Sequence, residues 1–166
     1  MKFDLVARRL LRLVQSDNKQ PLDRMVREAG ASRSAIQRRL QDMRRLGVIR
    51  KDVALLDRRL IGRIEIFIVR LELRWEHRHL FERFRLMVCD LAAVQQCYIT
   101  TGRLNCIAVV LLPDAEALDA FVTKHFAGDP LVRGYRTSLV TRELKVSLDV
   151  PLEPPRENGK NEPDHP

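Results

Sequence analysis

Polar and basic side chains recur through residues 32–46 at spacings that place them on one side of a helix. Arginine can bind a guanine edge with two hydrogen bonds and glutamine can bind adenine in the same way, so this residue set suits a DNA major groove. Ser32 is a favourable N-cap and Gly47 a favourable stop. The opposite stripe is apolar and consists of Ile36, Leu40 and Met43. The alternative for this segment alone is a solvated amphipathic helix that is merely basic.

The predicted DNA contacts lie on this helix and just after it. We expect the first half of the helix to approach the bases, and its end and the following segment to approach the phosphates. The predicted set is Ser32, Arg33, Ser34, Gln37, Arg38, Gln41, Arg45, Arg50 and Lys51.

Charge is distributed unevenly along the chain. Residues 1–62 hold 16 Lys and Arg against 7 Asp and Glu, whereas residues 63–166 hold 14 against 15. The division indicates two modules, of which the N-terminal one meets a polyanion. Double-stranded DNA is the expected partner, and an anionic membrane surface is the alternative.

Two further helices are predicted to position the basic one. Apolar residues at helical spacing predict a first helix over residues 2–15, and a second helix that starts at Pro21 and ends at Gly30. Two helices joined by a tight turn containing glycine are typical of a helix-turn-helix. Residues 48–56 are short and rich in branched side chains, so we interpret them as an extended wing.

After residue 63 the pattern strand, helix, strand occurs twice. Alternation at Phe67, Val69, Leu71 and Leu73 predicts a strand with one buried face. A helix carrying Leu80, Phe81, Phe84, Met87 and Val88 is followed by strands at 94–101 and 104–112, a helix from Pro113, and a final strand at 132–148. This order predicts a ferredoxin-like βαββαβ sheet with helices on one face.

The other sheet face should need a cover, because Ile66, Ile68 and Val140 are expected on it. A second copy of the chain is the natural cover, and a symmetric homodimer also presents two recognition helices to DNA. The fold class is therefore α+β, with an N-terminal winged helix-turn-helix followed by a ferredoxin-like βαββαβ domain. The predicted boundaries are residues 1–50 for the DNA-binding domain, 51–62 for the wing and linker, 63–150 for the effector and dimerisation domain, and 151–166 for a disordered tail.

Several classes of function are disfavoured by the sequence. No apolar run is long enough for a signal peptide or a membrane span, and the three cysteines suit unpaired, packed thiols in the cytoplasm. Phosphate-binding loops, nucleophile elbows and zinc-protease motifs do not occur. His77 and His79 are the only local hint of a metal, and a solvated loop explains them better. We expect no enzyme activity, no catalytic residues, no cofactor and no metal.

The chain resembles the leucine-responsive regulatory protein (Lrp/AsnC) family of bacterial and archaeal transcription regulators. The resemblance rests on Ala31–Ser34, Arg38–Leu40, Leu46–Ile49, Ala54–Asp57, Gln96–Gly102, Val110–Asp114 and Arg136–Lys145. It implies a winged helix-turn-helix joined to an amino-acid-binding βαββαβ domain that dimerises and often forms octamers. It further implies a cytoplasmic, nucleoid-associated protein that responds to a small effector.

In that family the effector lies near the loop between the second and third strands. The corresponding effector-binding residues here are Thr101, Gly102, Arg103, Asn105 and Ser138. The family more commonly has acidic residues at positions 103 and 105, where one can hold a ligand ammonium group. Arginine instead favours an anion, so we expect either a different, acidic ligand or none.

Two other functions are compatible with the sequence. Siroheme decarboxylases resemble the chain in both modules, but they carry histidines near the module junction, and Leu56–Leu60 has none. A pure interaction module would assemble through the sheet without binding DNA. These readings differ in what they require of the third helix, because only the regulator needs its polar side chains exposed together.

Overall fold

The computed structural model describes residues 3–152, apart from the side chain of Arg78. These residues form two compact units. The first runs to Ala54 and takes in the chain again from Val146, and the second is Leu55–Lys145. The chain passes from the first unit to the second after Ala54, inside the predicted linker. It returns to the first unit after Lys145, inside the stretch predicted as the effector domain. The predicted tail lies outside the described residues except for Pro151 and Leu152.

Three helices build the first unit: α1 (Leu5–Ser16), α2 (Leu22–Ala29) and α3 (Arg33–Arg45). Asp4 caps α1 by accepting a hydrogen bond from the Ala7 backbone N–H, and Gly30 ends α2 with a left-handed φ of 72°. The buried centre of the bundle consists of Leu10, Met25, Ala29, Ile36 and Leu40. The predicted helices are therefore confirmed, with ends shifted by a few residues.

No strand forms in residues 48–56, the segment predicted as the wing. The described part of the first unit contains no strand that could pair with it. Its first residues instead close α3, because the Val48 and Ile49 N–H groups both donate to the Met43 carbonyl oxygen, at 2.8 and 3.1 Å. Beyond Ile49 the segment is exposed, and Leu55 is 91% exposed.

The returning chain packs on α1. The Gln15 side chain accepts from the Val150 N–H at 2.8 Å and donates to the Val150 carbonyl oxygen at 3.2 Å. Arg12 Nε donates to the Leu152 carbonyl oxygen at 3.0 Å. Leu152 also packs against buried apolar side chains of α1 and α3. Residues 146–152 are thus a fourth component of the helical unit, which the sequence reading had assigned in part to a final strand.

The second unit begins with the short helix α4 (Arg58–Ile61) and holds a four-stranded antiparallel sheet. Its strands are β1 (Glu65–Leu73), β2 (Val94–Ile99), β3 (Cys106–Leu112) and β4 (Val132–Leu139), in the order β2-β3-β1-β4. A 3₁₀ turn at Trp75–Leu80 leads into α5 (Phe81–Asp90), and α6 (Ala115–Val122) continues as a π-helical turn at Thr123–Ala127. The ferredoxin-like prediction is confirmed.

Both helices cover one face of the sheet. The four alternate β1 residues Phe67, Val69, Leu71 and Leu73 are buried there, as predicted, together with Phe84 and Val88 of α5 and Leu118 and Val122 of α6. The Asp114 side chain caps α6 by accepting from the Ala117 N–H at 2.9 Å. On the other face, Ile66 and Ile68 are only half-buried. That face also holds Ile107 and Val109, because they lie opposite Arg70 and Ile68 in register.

The last strand is shorter than predicted, because it ends at Leu139 and not at residue 148. The neighbouring strand β1 starts at Glu65, which in this register would lie opposite residue 141, so β1 offers no partner for residues 142–148. The final contact is the Val140 N–H, which donates to the Ile66 carbonyl oxygen at 2.9 Å. The released chain is then free to leave the sheet and return to the first unit.

The cysteines are all free thiols. Cys97 and Cys106 lie on neighbouring strands with their Sγ atoms 3.5 Å apart. The contact with Cys97, and then burial, raise the pKa of the Cys106 thiol well above its ordinary value. Cys89 is exposed, so the expectation that all three thiols would be packed is wrong for that residue.

Candidate DNA-binding helix and effector cleft

Every residue predicted to contact DNA is exposed, on α3 or next to its ends. Ile36, Leu40 and Met43 are buried against the other helices, which turns the polar stripe outward. Ser32 caps the helix by accepting from the Ala35 N–H at 3.4 Å. The exposed residues include Ser32, Arg33, Ser34, Gln37, Arg38, Gln41, Arg45, Arg50 and Lys51. The structure therefore brings the helical members of this set onto one surface, with Arg50 and Lys51 in the segment after it.

The cations of this surface differ in their partners. Arg33 forms an ion pair with Asp23 of α2, and Arg45 pairs with Asp42 at 2.8 Å. Within residues 3–152, Arg38 has no carboxylate partner. Ion pairs between exposed side chains contribute only about 0–1 kcal/mol, so a phosphate can replace the carboxylates of Arg33 and Arg45.

Arg39 and Arg44 also lie on α3, but their partners belong to the start of the chain and to the segment after α3. Arg39 contacts Asp4 at 2.8 Å, and Arg44 Nε donates to Asp52 at 3.1 Å. The Ala7 N–H, and then Arg39, lower the pKa of Asp4 below its ordinary value. Spacing alone places Arg39 nearer the buried stripe than Arg38, which is the sequence signal that separates the two roles.

The predicted effector loop connects β2 to β3. Gly102 has a left-handed φ of 95°, which suits glycine at this turn. The loop is closed by the Thr100 N–H, which donates to the Asn105 carbonyl oxygen at 2.8 Å. Thr101, Gly102 and Arg103 are all exposed. The loop therefore presents backbone and one guanidinium group to solvent.

Asn105 has a different place from its neighbours, because it is only 3% exposed. Its Oδ1 accepts from the Leu73 N–H at 2.7 Å, and its Nδ2 donates to the Leu73 carbonyl oxygen at 3.0 Å. The amide side chain thus continues the ladder between β3 and β1. Both of its polar ends are used within the fold.

Ser138 lies on β4, on the sheet face away from the helices. It is opposite Ile68 in register, and its Oγ accepts from Arg70 Nη2 at 3.0 Å. Arg70 and Arg136 are also register partners on this face. The predicted effector residues are therefore divided between a loop, a buried ladder position and an open sheet face.

Arg103 borders a cleft of about 480 Å³ at the end of the sheet, which we call the arginine cleft. Its lining consists of Glu72, Arg103, Leu104, Arg133, Gly134, Tyr135 and Arg136. The sequence predicted Arg103 as a site residue, but it did not predict the residues contributed by β1 and β4. Only strand register brings them together, since Glu72 lies opposite Gly134.

Glu72 organises the cations of the arginine cleft. Its side chain is 14% exposed, and it accepts from Arg103 Nε at 3.0 Å and from Arg133 Nη1 at 3.4 Å. Arg133 also contacts Glu76 at 3.0 Å. A bulge between Glu72 and Leu73 leaves Arg133 as the extra residue of β4, and bulges commonly redirect side chains in this way.

His77 and His79 lie in the 3₁₀ turn. His77 Nδ1 lies 3.2 Å from the Pro130 carbonyl oxygen. Within the part of the chain that the structure describes, no three His, Cys, Asp or Glu side chains come together as metal ligands. Among the residues that the structure describes, no helix has the length and apolar character that a membrane span requires.

Comparison with known proteins identifies the second unit. A family profile described as the Lrp/AsnC ligand binding domain matches residues 66–150. An HTH-type transcriptional regulator of Sinorhizobium fredii is 30% identical over 153 residues, which are 92% of this chain and 90% of the relative. The leucine-responsive regulatory protein of Escherichia coli is 24% identical over 87% of this chain and 88% of its own length.

Two solved structures share the fold of this chain. The crystal structure of an AsnC family transcriptional regulator from Agrobacterium tumefaciens matches with a TM-score of 0.82 at 27% identity, covering 90% of this chain and 97% of the other. A transcriptional regulator from Neisseria meningitidis, solved as a complex with L-Met, shares the fold with a TM-score of 0.83 at 22% identity, covering 91% and 97%. The chain belongs to the Lrp/AsnC family of HTH-type transcriptional regulators.

Proposed function

We propose that this chain regulates transcription by placing α3 in the major groove of double-stranded DNA, under the control of a small effector bound to its second unit. The observation that carries the proposal is the exposed polar face of α3. Gln37, Arg38 and Gln41 lie on it together, and Arg38 has no ion-pair partner within residues 3–152. A guanidinium group without a competing carboxylate is available for guanine.

The contacts divide by position. Arg33, Ser34, Gln37 and Arg38 come from the first half of α3, so they are assigned to base edges and the nearest backbone. Arg45, Arg50 and Lys51 follow them and are assigned to phosphates. Phosphate contacts fix the register of the protein on the duplex, whereas base contacts select the sequence.

A homodimer completes the DNA-binding unit in this proposal. The open sheet face carries the apolar residues Ile66, Ile68, Ile107 and Val109, which a second copy can bury. Two-fold symmetry then presents two α3 helices to half-sites that are roughly one helical turn, or a multiple of it, apart. Larger assemblies, including octamers, can be built from the same dimer, and the protein acts on the bacterial or archaeal nucleoid in the cytoplasm.

The effector is proposed to bind where Arg103 borders the arginine cleft. Thr101 and Gly102 lie beside Arg103 in the same exposed loop, and Ser138 lies on the neighbouring sheet face. The Neisseria meningitidis regulator was solved as a complex with L-Met, which supports an amino-acid-like effector for this chain. Asn105 is bonded to Leu73 at both polar ends, so in this proposal its role is to hold the loop in place.

The test is retention of genomic DNA fragments by the purified protein at low and high salt, followed by sequencing. We expect tight, salt-dependent retention of a few sites with palindromic character. Arg38→Gln should relax the sequence preference of these sites at one base position. Arg85→Gln is the matched control, because Arg85 lies on α5 and pairs with Glu82 at 2.6 Å. Absence of retention even at low salt would exclude the DNA-binding function.

A further inference from the structure

The arginine cleft holds more cations than its carboxylate can neutralise. Arg103, Arg133 and Arg136 line it against the single acidic residue Glu72, which leaves a formal excess of two positive charges. Arg133 has a further partner in Glu76 outside the lining. Arg136, by contrast, is exposed and has no ion-pair partner within the described residues.

Arg70 increases this imbalance. It lies directly opposite Arg136 in the β1–β4 register, so both guanidinium-bearing side chains leave the same face of the sheet. Like charges at directly opposite positions destabilise a sheet. Arg70 donates to Ser138 Oγ through Nη2, but its Nε is buried and has no acceptor among the described residues. An anion bound at Arg136 reduces the repulsion between the two side chains.

We propose that the arginine cleft binds a small dicarboxylate, and that acidic amino acids or their ammonium-free analogues are the effector class of this regulator. The inference rests on the proposed function, because it names the ligand class of the same effector site. When Glu76 is counted with its partner Arg133, and Arg70 with its register partner Arg136, two positive charges remain without a carboxylate, and the two carboxylates of the ligand match them. Arginine binds a carboxylate through two parallel hydrogen bonds, which adds geometric selectivity to the charge attraction.

The size and remaining lining of the cleft agree with such a ligand. Its volume of about 480 Å³ lies in the lower half of the range of small-molecule sites, roughly 300–1,000 Å³. Leu104 provides carbon surface for a short aliphatic chain. A neutral amino acid offers one carboxylate and leaves the excess charge only partly neutralised.

Gly134 provides a way to block the cleft without changing its charge. It lies opposite Glu72, and a Cβ atom added to it would meet no other atom within 4 Å. Its φ is not in the left-handed region, so a side chain introduces no backbone strain there. Gly134→Val should therefore place a branched side chain in the cleft while leaving the fold intact.

The experiment is calorimetric titration of the full-length protein with succinate, L-glutamate and L-leucine. We expect saturable binding of succinate or L-glutamate, with L-leucine at least tenfold weaker. Arg136→Gln and Gly134→Val should each weaken the acidic ligand at least tenfold. Arg85→Gln serves as the charge-matched control and should bind like the unmodified chain. Thermal melting of each variant distinguishes loss of the site from loss of the fold.

Other outcomes overturn the inference. L-leucine binding as tightly as either acidic compound would do so, and so would failure of both dicarboxylates to bind the folded protein. A change in assembly size caused by Arg136→Gln, without any dicarboxylate binding, would assign Arg136 to a protein interface. DNA retention by the same preparations separates the two proposals, because selective retention without dicarboxylate binding refutes only the effector class.

Discussion

The polar face of α3 and the arginine cleft both gather arginines, but they hold them by different means. On α3 the paired carboxylates are exposed, with the Asp23 side chain at 66% and Asp42 at 45%. In the arginine cleft the organising carboxylate, Glu72, is 14% exposed and receives two guanidinium groups. Exposed pairs exchange partners at little cost, whereas the largely covered Glu72 carboxylate holds the contacting ends of Arg103 and Arg133, whose side chains are otherwise exposed.

This difference suits two kinds of anion. DNA presents a row of phosphates, and in the proposed complex the exposed cations of α3 can adjust to it. A small ligand has few atoms, so its selectivity depends on donors that are already in position. The first surface should therefore respond strongly to salt, and the second should respond strongly to the shape of the ligand.

The largest effect is expected from Asn105→Ala, which tests whether the residues around the cleft are fixed by the fold. The substitution leaves the buried Leu73 N–H and carbonyl groups without partners, at about 1–3 kcal/mol for each group that stays unpaired. We expect the free energy of unfolding to fall by about 2–4 kcal/mol in urea titrations. The exposed neighbour Thr101→Ala is the control and should change it by less than about 0.5 kcal/mol.

An unchanged free energy of unfolding for Asn105→Ala, together with weaker effector binding, would contradict this assignment. Asn105 would then be a ligand contact, as the family resemblance had indicated. The contrast between a preset cleft and an adaptable helix face would lose its main support in the second unit.

Arg38→Ala should have the next largest effect and acts on the adaptable surface. Loss of a guanine contact should weaken specific binding by about 1–3 kcal/mol and relax the preference at one base position. Fluorescence anisotropy with a retained fragment and with random DNA measures both quantities. Equal losses on the two DNAs would show that Arg38 contacts phosphate only.

Lys51→Ala should give a smaller and less selective change. We assign Lys51 to a phosphate, so its removal should weaken all sequences alike and reduce the slope of log K against log salt by about one. Titrations at several salt concentrations provide the slope. A change confined to the specific sequence would move Lys51 into the base-reading set.

The smallest effect is expected from Asp4→Asn, on the pH dependence of thermal stability. The partner of Asp4 is Arg39, which neighbours Arg38 on α3. A carboxyl group with a lowered folded-state pKa stabilises the fold above its unfolded value, here 3.8, and this stabilisation is lost as the pH falls through the folded-state pKa. Asn also caps helices, so Asp4→Asn keeps the cap and removes the titrating charge. Melting midpoints at about pH 5 and about pH 3 should therefore differ less in the variant than in the unmodified chain.

The DNA-retention pattern of Asp4→Asn should stay the same, because Arg39 is assigned to the fold and not to the bases. A shift in the retained sequences would place Arg39 among the DNA contacts. Equal pH dependence in the variant and the unmodified chain would show that Asp4 does not control acid stability.

The sequence predicted α3 well because its information is local. Ile36, Leu40 and Met43 repeat at the helical period, and a single buried stripe determines which side chains face outward. The same reasoning placed the start of α6 at Pro113, one residue before its Asp114 cap, and predicted the buried face of β1. Each of these features needs only a few consecutive residues.

The arginine cleft could not be predicted in the same way because its members are distant in sequence. Arg133 reaches Glu72 across 61 positions through a bulge in β4, and no spacing rule reports a bulge. Asn105 and Arg103 are two residues apart, yet the end of β1 buries the first and leaves the second exposed. The ends of strands depend on their partners, which also explains why β4 is shorter than its apolar pattern indicated.

The return of the chain at Val146 makes the second unit an insertion of about 90 residues within the helical one. When the inserted unit unfolds, keeping its two ends together costs about 4 kcal/mol of loop-closure entropy, from (3/2)RT ln n. That cost opposes the contacts of Gln15 with Val150 and of Leu152 with α1. When the inserted unit melts, residues 146–152 should therefore detach. The melting temperature of the helical unit, which contains α3, should then fall. A compound that stabilises only the inserted unit should raise the midpoint of both.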